Sequence, residues 1–302
     1  MGEALDDPGA AGLVGFGGAP VVALDALDAL APATSAAACF FGVDIDLSKR
    51  FGDSSDGAAA FVRRWSARMG PWTRGHRPSA VDVGVLTGGA ADVIRGASEV
   101  TARAFAAGYV PVAVGCDHTV SYPVAMTAAR RHQDLTYVYL DAHLDLGLHL
   151  DDDRDGPAGA GAPAGVHNGN FVAAMAAGGA FREIVNVGAR AWTTYDDVYG
   201  AGCPVTIVRE VDPAGLSALR GRKVHVSLDI DVLDPVYVPN TGSREPFGAT
   251  PEQVVNVLSW LADHCTVVSA DVSEVLPDPA HRTTAEIAMR CTHELVKERK
   301  TR

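Results

Sequence analysis

Cysteine is scarce in this sequence and never arranged in a motif. The five cysteines, at 39, 116, 203, 265 and 291, are odd in number and include no CxxC. That excludes a disulfide-stapled secreted scaffold and a cysteine-based zinc site, and fits the buried, reduced thiols of a cytoplasmic protein. Positive charge is short as well. The 25 Lys and Arg face 37 Asp and Glu, a net charge of −12, against the basic footprint that nucleic-acid binding needs. No apolar run reaches the length that crosses a membrane. The opening MGEALDDPGAAG lacks the basic-then-apolar pattern of a secretory leader, and Asp6 stands where a myristoylation signal has Ser or Thr. GFGG at 15–18 follows no strand pattern and lacks a GK[ST] ending, so it does not read as a phosphate loop.

Apolar material is what the chain does have. With 302 residues, 47% hydrophobic and 21% charged, it can bury the core of one large α/β domain. Residues 1–36, rich in Gly, Ala, Asp and Pro, read as an irregular lead-in, and 37–302 as a single domain. Eight short apolar runs read as strands: ACFFGVDI, AVDVG, VPVAVG, TYVYL, EIVNVG, PVTIV, KVHVSLDI and CTVVSADV. Helical patterns fall between several of them, over 55–68, 88–107, 119–132, 250–263 and 281–299, with Thr250-Pro251 a good helix start. Such alternation predicts βαβ units and a mostly parallel sheet with helices on both faces. The Gly, Ala, Pro and Asp of 147–168 predict a long loop, of the kind used as a lid.

The polar residues collect just after the apolar runs, where open parallel sheets bind ligands. VPVAVG is followed by Asp117 and His118. TYVYL is followed by Asp141, His143 and Asp145, and KVHVSL by Asp229, Asp231 and Asp234. CTVVSADVS is followed by Glu274. Residues at i, i+2 and i+4 of an extended chain share a face, so the alternating aspartates and histidines project together. Left unpaired beside a core, such groups cost several kcal/mol each through desolvation and mutual repulsion. A cation relieves that cost. A carboxylate-rich set with some imidazole and no thiolate suits Mn²⁺ better than structural zinc, and six candidate ligands are enough for two ions.

GCDHT, DAHLD and SLDIDVLDP resemble, in order and spacing, the signature motifs of the ureohydrolases, the arginase and agmatinase superfamily. The resemblance runs from FFGVDIDL at 40 to the final AEIAMRCTHELVKE. It implies a three-layer αβα arginase-like fold around a central eight-stranded, mostly parallel sheet, and two Mn²⁺ per chain. His118, Asp141, Asp145 and Asp229 would hold one ion; Asp141, His143, Asp229 and Asp231 the other, with Asp141 and Asp229 bridging. Glu274 would pair with a substrate guanidinium, whose N–H donors match a carboxylate. The implied reaction is attack of a metal-bridging hydroxide on the guanidinium carbon, releasing urea and an amine. Family members also imply homo-oligomers, trimers or hexamers, with no nucleic-acid or membrane partner.

Two departures stand out. Cys116 replaces a glycine of the first motif, and in HNGNFVAAM Val172 falls where a proton-donating histidine is expected. His167 and His149 are the candidate replacements, which makes Asp145, His167 and Glu274 the candidate catalytic residues. Asn170, Arg190 and Arg244 join Glu274 as candidate substrate contacts, the arginines for a substrate carboxylate. Asp196 and Asp197 lie further along. The expected substrate is an agmatine-like or guanidino-acid compound rather than arginine, or alternatively an N-hydroxyguanidine or bulky guanidino natural product. A deacetylase of similar fold would use a single zinc, against which Asp229 and Asp231 argue. A non-catalytic, metal-stabilised binding protein is the remaining class.

Overall fold

The structure is a computed structural model that describes residues 15–32, 37–46, 57–67, 79–147, 165–191 and 205–296. Its strands are β1 (Ala38–Val43), β2 (Ala80–Leu86), β3 (Val110–Gly115), β4 (Thr136–Leu140), β5 (Glu183–Val187), β6 (Val205–Val208), β7 (Lys223–Asp229) and β8 (Thr266–Ser273). Each expected strand is present. They form one sheet in the order β2-β1-β3-β8-β7-β4-β5-β6, and every pairing is parallel.

The helices are α1 (Ala58–Ser66), α2 (Ala90–Ala106), α3 (Ser121–Arg131), α4 (Phe171–Ala177), α5 (Pro251–His264) and α6 (Thr283–Leu295). α4 went unread in the sequence because its seven residues, FVAAMAA, are too short to show a helical period. Side-chain alternation along the strands divides the core into two layers. Phe40 of β1, Val112 of β3 and Val138 of β4 face one apolar cluster, shared with α1, α5 and α6. Phe41, Ala113, Tyr137 and Tyr139 face the other, shared with α2, α3 and α4. The architecture is therefore three-layered, helices on sheet on helices.

Residues 15–32 of the lead-in pack onto this frame. Phe16 is fully buried, the Val22 N–H donates to the Asp82 carbonyl, and the Asp82 carboxylate accepts from the Phe16 N–H and pairs with Arg63. Gly17 donates to Ser66 Oγ, so GFGG is a packing turn.

α5 starts as Thr250-Pro251 suggested. Thr250 Oγ1 accepts from the Gln253 N–H while Gln253 returns a bond to the Thr250 N–H, a complete capping box. Thr250→Ala should therefore lower stability by about 1 kcal/mol, read as a fall in the chemical-denaturation midpoint with unchanged slope.

Candidate metal centre

Four strands that are adjacent in the sheet, β3, β8, β7 and β4, deliver the chemistry at their carboxy-terminal ends. The same local device aims three of the aspartates. Asp117, Asp141 and Asp229 each turn one carboxylate oxygen back onto the N–H two residues on, at 2.7, 2.6 and 2.8 Å. In Asp141 and Asp229 this leaves the second oxygen facing the pocket, and both reach His118 Nδ1 at 3.1 Å. Asp145 reaches the same nitrogen at 3.0 Å. A second focus lies beside the first: His143 Nδ1 is 2.9 Å from Asp231 and 3.4 Å from Asp141.

The donor atoms thus form two groups, His118–Asp141–Asp145 and Asp141–His143–Asp231, sharing Asp141. His118 Nδ1 and Asp141 Oδ2 are buried and accept or donate no well-aligned hydrogen bond, although oxygen and nitrogen crowd around them. Atoms that converge on a point rather than on each other fit a coordinated cation. The carboxylate oxygens and imidazole nitrogens of these five residues, with Asp229 beside His118, are the chemistry of a hard or borderline divalent ion.

The electrostatics agree. Burial and the Asp141 charge push the Asp145 carboxyl up to about 7. Burial, with Asp231 and Asp141, pushes Asp229 well above the usual carboxylate range. Burial favours neutral His118 and His143, but the surrounding carboxylates outweigh it and raise both. For Asp141 burial is likewise outweighed, by His118 and His143, which hold it below its ordinary value. Protons here stand in for missing positive charge.

Behind the first focus, His118 Nε2 meets Ser227 Oγ at 2.9 Å, Ser227 donates to Asp271, and Asp271 meets His225 Nε2 at 2.7 Å. Such partners fix the ring orientation of a metal-binding histidine. Sequence reading missed this chain because Ser227, His225 and Asp271 alternate within strands and look like core positions.

Glu274 is buried, and its Oε1 accepts from the His118 N–H at 3.0 Å and from Asn168 Nδ2 at 3.4 Å. Burial first, then Asp229, Asp117 and Asp231, push its carboxyl well above the usual range. Glu274 and Asp145 both hold left-handed backbone, φ 59° and 50°. Strain of this kind costs about 1–3 kcal/mol and persists where packing enforces it, commonly at functional sites.

The other expected residues divide. His167 is buried in the turn before α4, and its Nδ1 accepts from the Gly169 N–H. Its neighbour Asn168 brings that turn against Glu274. Val172 is fully buried in the apolar layer with Phe171 and Met175. A histidine at 172 would face the core, so the sequence position read as lacking an acid is not one from which an acid could act.

Asn170, expected to contact substrate, spends its amide locally, accepting from the His167 N–H and donating to the Gly165 carbonyl. The Arg190 guanidinium is committed to backbone carbonyls at 231, 232, 233, 245 and 246, and Arg244 Nε to the Pro239 carbonyl. The Arg190 fork is therefore not placed as a carboxylate receptor. Cys116 is a packed position, buried with its thiol on the Ile45 carbonyl. His149, Asp196, Asp197 and most of the expected lid loop lie outside the described residues. Glu245, unnoticed in the sequence, puts a carboxylate oxygen 3.6 Å from His143 Nε2.

Residues 36–297 match the family model described as the arginase family. The chain belongs to that family. Among curated proteins it is 28% identical to the human mitochondrial guanidino acid hydrolase over 65% of this chain and 56% of that protein, so it spans little over half of the human enzyme's length. It is 28% identical to the chicken mitochondrial agmatinase over 80% of this chain and 74% of that one. Among solved structures it superposes on proclavaminate amidinohydrolase from Streptomyces clavuligerus with TM-score 0.75 and 22% identity, covering 96% and 98% of the two chains. That likeness is one of fold.

Two expectations follow. Asp145, Asp229, Glu274 and both histidines have raised values, and such groups stabilise the fold below their ordinary pKa and cease to as pH rises through the folded one; Asp141 acts in the opposite sense only in acid. Metal-free protein should therefore lose thermal stability as pH rises from about 4 through about 7, where Asp145 titrates, and on past the ordinary histidine range, and an added divalent cation should restore it most at the alkaline end. Val172→His should cost about 2 kcal/mol or more through a crowded, unsatisfied core imidazole, and should not raise activity.

Proposed function

We propose that this protein is a binuclear manganese hydrolase that cleaves a guanidino compound other than arginine to urea and an amine. The observation that carries the reading is the pair of ligand groups joined through Asp141. His118, Asp141, Asp145 and Asp229 would hold one ion, and Asp141, His143, Asp229 and Asp231 the other. When bound, paired divalent ions lower the pKa of water toward neutrality and so supply a nucleophile.

The remaining work belongs to side chains. Glu274 offers its carboxylate to the planar guanidinium, a match of paired N–H donors with oxygens. Asp145 would offer a carboxylate oxygen not engaged by the ion as a proton acceptor. His167 is the candidate donor to the departing nitrogen, and it acts only as the imidazolium: a neutral ring losing its Nε2 proton would become an imidazolate, so the Nδ1 contact with the Gly169 N–H must open as the ring takes up its second proton.

Relatives named for agmatine and for guanidino acids leave the tail of the substrate open. The local chemistry favours a cationic tail. The Arg190 fork is occupied by carbonyls, and Glu245 adds negative charge beside His143. The buried free thiols of Cys39, Cys116, Cys265 and Cys291 suit a cytoplasmic enzyme, and no described helix is long and apolar enough to cross a membrane. We take the enzyme to act as a homo-oligomer.

Urea release from matched guanidino compounds ending in an amine, a carboxylate or an amino acid tests the proposal. Turnover is expected to be greatest with the amine and poor with L-arginine, and no urea from any of them would end the enzymatic reading. Glu274→Gln should keep its metal and lose roughly 10²-fold in kcat/KM through misplacement of the guanidinium. His167→Ala should lose roughly 10²–10⁴-fold on alkylguanidines, and less where the leaving nitrogen is less basic. An equal loss across both substrate types would remove His167 as the proton donor.

A further inference from the structure

Arg190 was expected to meet substrate, and its bonds instead make a half-buried cationic fork fixed on backbone. Its Nε donates to Pro246 O at 3.1 Å and Nη1 to Val232 O at 3.1 Å. Nη2 donates to Asp231 O and Glu245 O at 2.8 Å each, and to Leu233 O at 3.4 Å. The Arg190 and Ala191 N–H groups both donate to Ala142 O. Ala142 lies between Asp141 and His143, and its own N–H donates to Asp231 Oδ1 at 3.1 Å.

Arg190 therefore touches three separate segments, 141–143, 231–233 and 245–246. Three residues that meet at the second focus, Asp141, His143 and Asp231, sit on the first two segments, and Asp229, the fourth proposed ligand, lies two residues before the second. The third carries Glu245, whose carboxylate stands 3.6 Å from the far nitrogen of His143. None of the bonds described for the guanidinium reaches the segments that bring His118 or Asp145.

The packing around the fork is tight. A Cβ on Gly248 would stand 2.7 Å from Arg190 Nη2 and 2.4 Å from the Asp234 nitrogen. Asp234 closes the same loop from the other side, accepting from the N–H groups of Val236 and Gly248. Between Pro246 and Gly248 the chain is drawn so short that Phe247 adopts φ 63° and leaves its ring 92% exposed. A non-glycine residue in that region is uncommon, and its cost is met by the bonds on either side.

We propose that Arg190 is a positioning residue for the second metal subsite: by holding the carbonyls of 231–233 and 245–246 against the 142 peptide, it sets His143 between Asp231 and Glu245. The inference rests on the binuclear reading above, and it assigns Arg190 to one ion rather than to the fold at large. A planar fork with donors on three nitrogens can span these carbonyls; a lysine ammonium has one centre and cannot.

The test is a Mn²⁺ titration of the purified full chain, followed by EPR and equilibrium dialysis, for wild type, Arg190→Lys and Gly248→Ala. His118→Ala and His143→Ala serve as references for loss of each subsite. Wild type should bind two ions with a spin-coupled spectrum. Arg190→Lys should bind the second ion roughly 10–100-fold more weakly, the size typical of partners outside the ligand set. Its first-ion affinity should be unchanged, and at one equivalent its spectrum should be that of an isolated ion, like His143→Ala and unlike His118→Ala. Gly248→Ala presses on the Leu233–Asp234 backbone and on Arg190 Nη2 without changing any charge and should show the same selective loss, which ties the second ion to the clamped loop if Arg190→Lys does not fold.

Two tightly bound, coupled ions in both variants, with only the unfolding temperature lowered, would show that the clamp merely stabilises the loop. Equal weakening of both ions would also overturn the assignment. A wild-type protein that binds no Mn²⁺ pair would instead overturn the binuclear reading itself, and this inference with it.

Discussion

Negative charge gathered where water cannot reach it is the constraint on which the molecule depends. Asp141, Asp229 and Asp231 are all but fully buried, with Glu274 beside them and His118 at their centre. Carboxylates in such surroundings repel one another and lose their hydration, and only positive charge placed among them makes the arrangement tolerable. Burial and the neighbouring charges raise Asp145, Asp229 and Glu274, and the carboxylates raise both histidines. Divalent cations would supply the positive charge in little volume, and with a direction imposed by the ligand atoms.

The fold serves that constraint through strand order. β3, β8, β7 and β4 are central in the sheet and flanked on both sides, so the groups at their ends lie over the deepest part of the core. Parallel pairing brings all four carboxy-terminal ends to the same edge. Short turns then aim the side chains, as aspartates that bind their own backbone two residues on present the opposite oxygen to the pocket. The supporting contacts are asymmetric. His118 is backed by a buried serine and aspartate chain, whereas His143 stands nearer the surface between Asp231 and Glu245.

That asymmetry separates two tasks. The deep half of the site is rigid core chemistry. The outer half is built from loops, and its geometry depends on Arg190, a residue with no polar partner other than backbone in the bonds described here. Loops held this way can vary in length and side chain between relatives while the carbonyls that face the fork stay in place. Substrate range can then change without disturbing the metal ligands.

The sequence by itself determined the strands and the candidate ligands. Eight apolar runs were legible because strands buried on both faces are continuously hydrophobic, and β1 to β8 fall where those runs lie. His118, Asp141, His143, Asp145, Asp229 and Asp231 were legible because alternation puts chemically similar residues on one face just past a strand. Tertiary structure alone decided the rest. β3 and β4, near in sequence, are parted by β8 and β7, so which ligands meet is a matter of crossover order. Val172 faces the core and His167 the turn beside Glu274, a distinction set by where a seven-residue helix begins. Arg190 turned from substrate contact to clamp because its partners, at 231–233 and 245–246, are backbone carbonyls. Every residue type has one, so no pattern of side chains could have announced them.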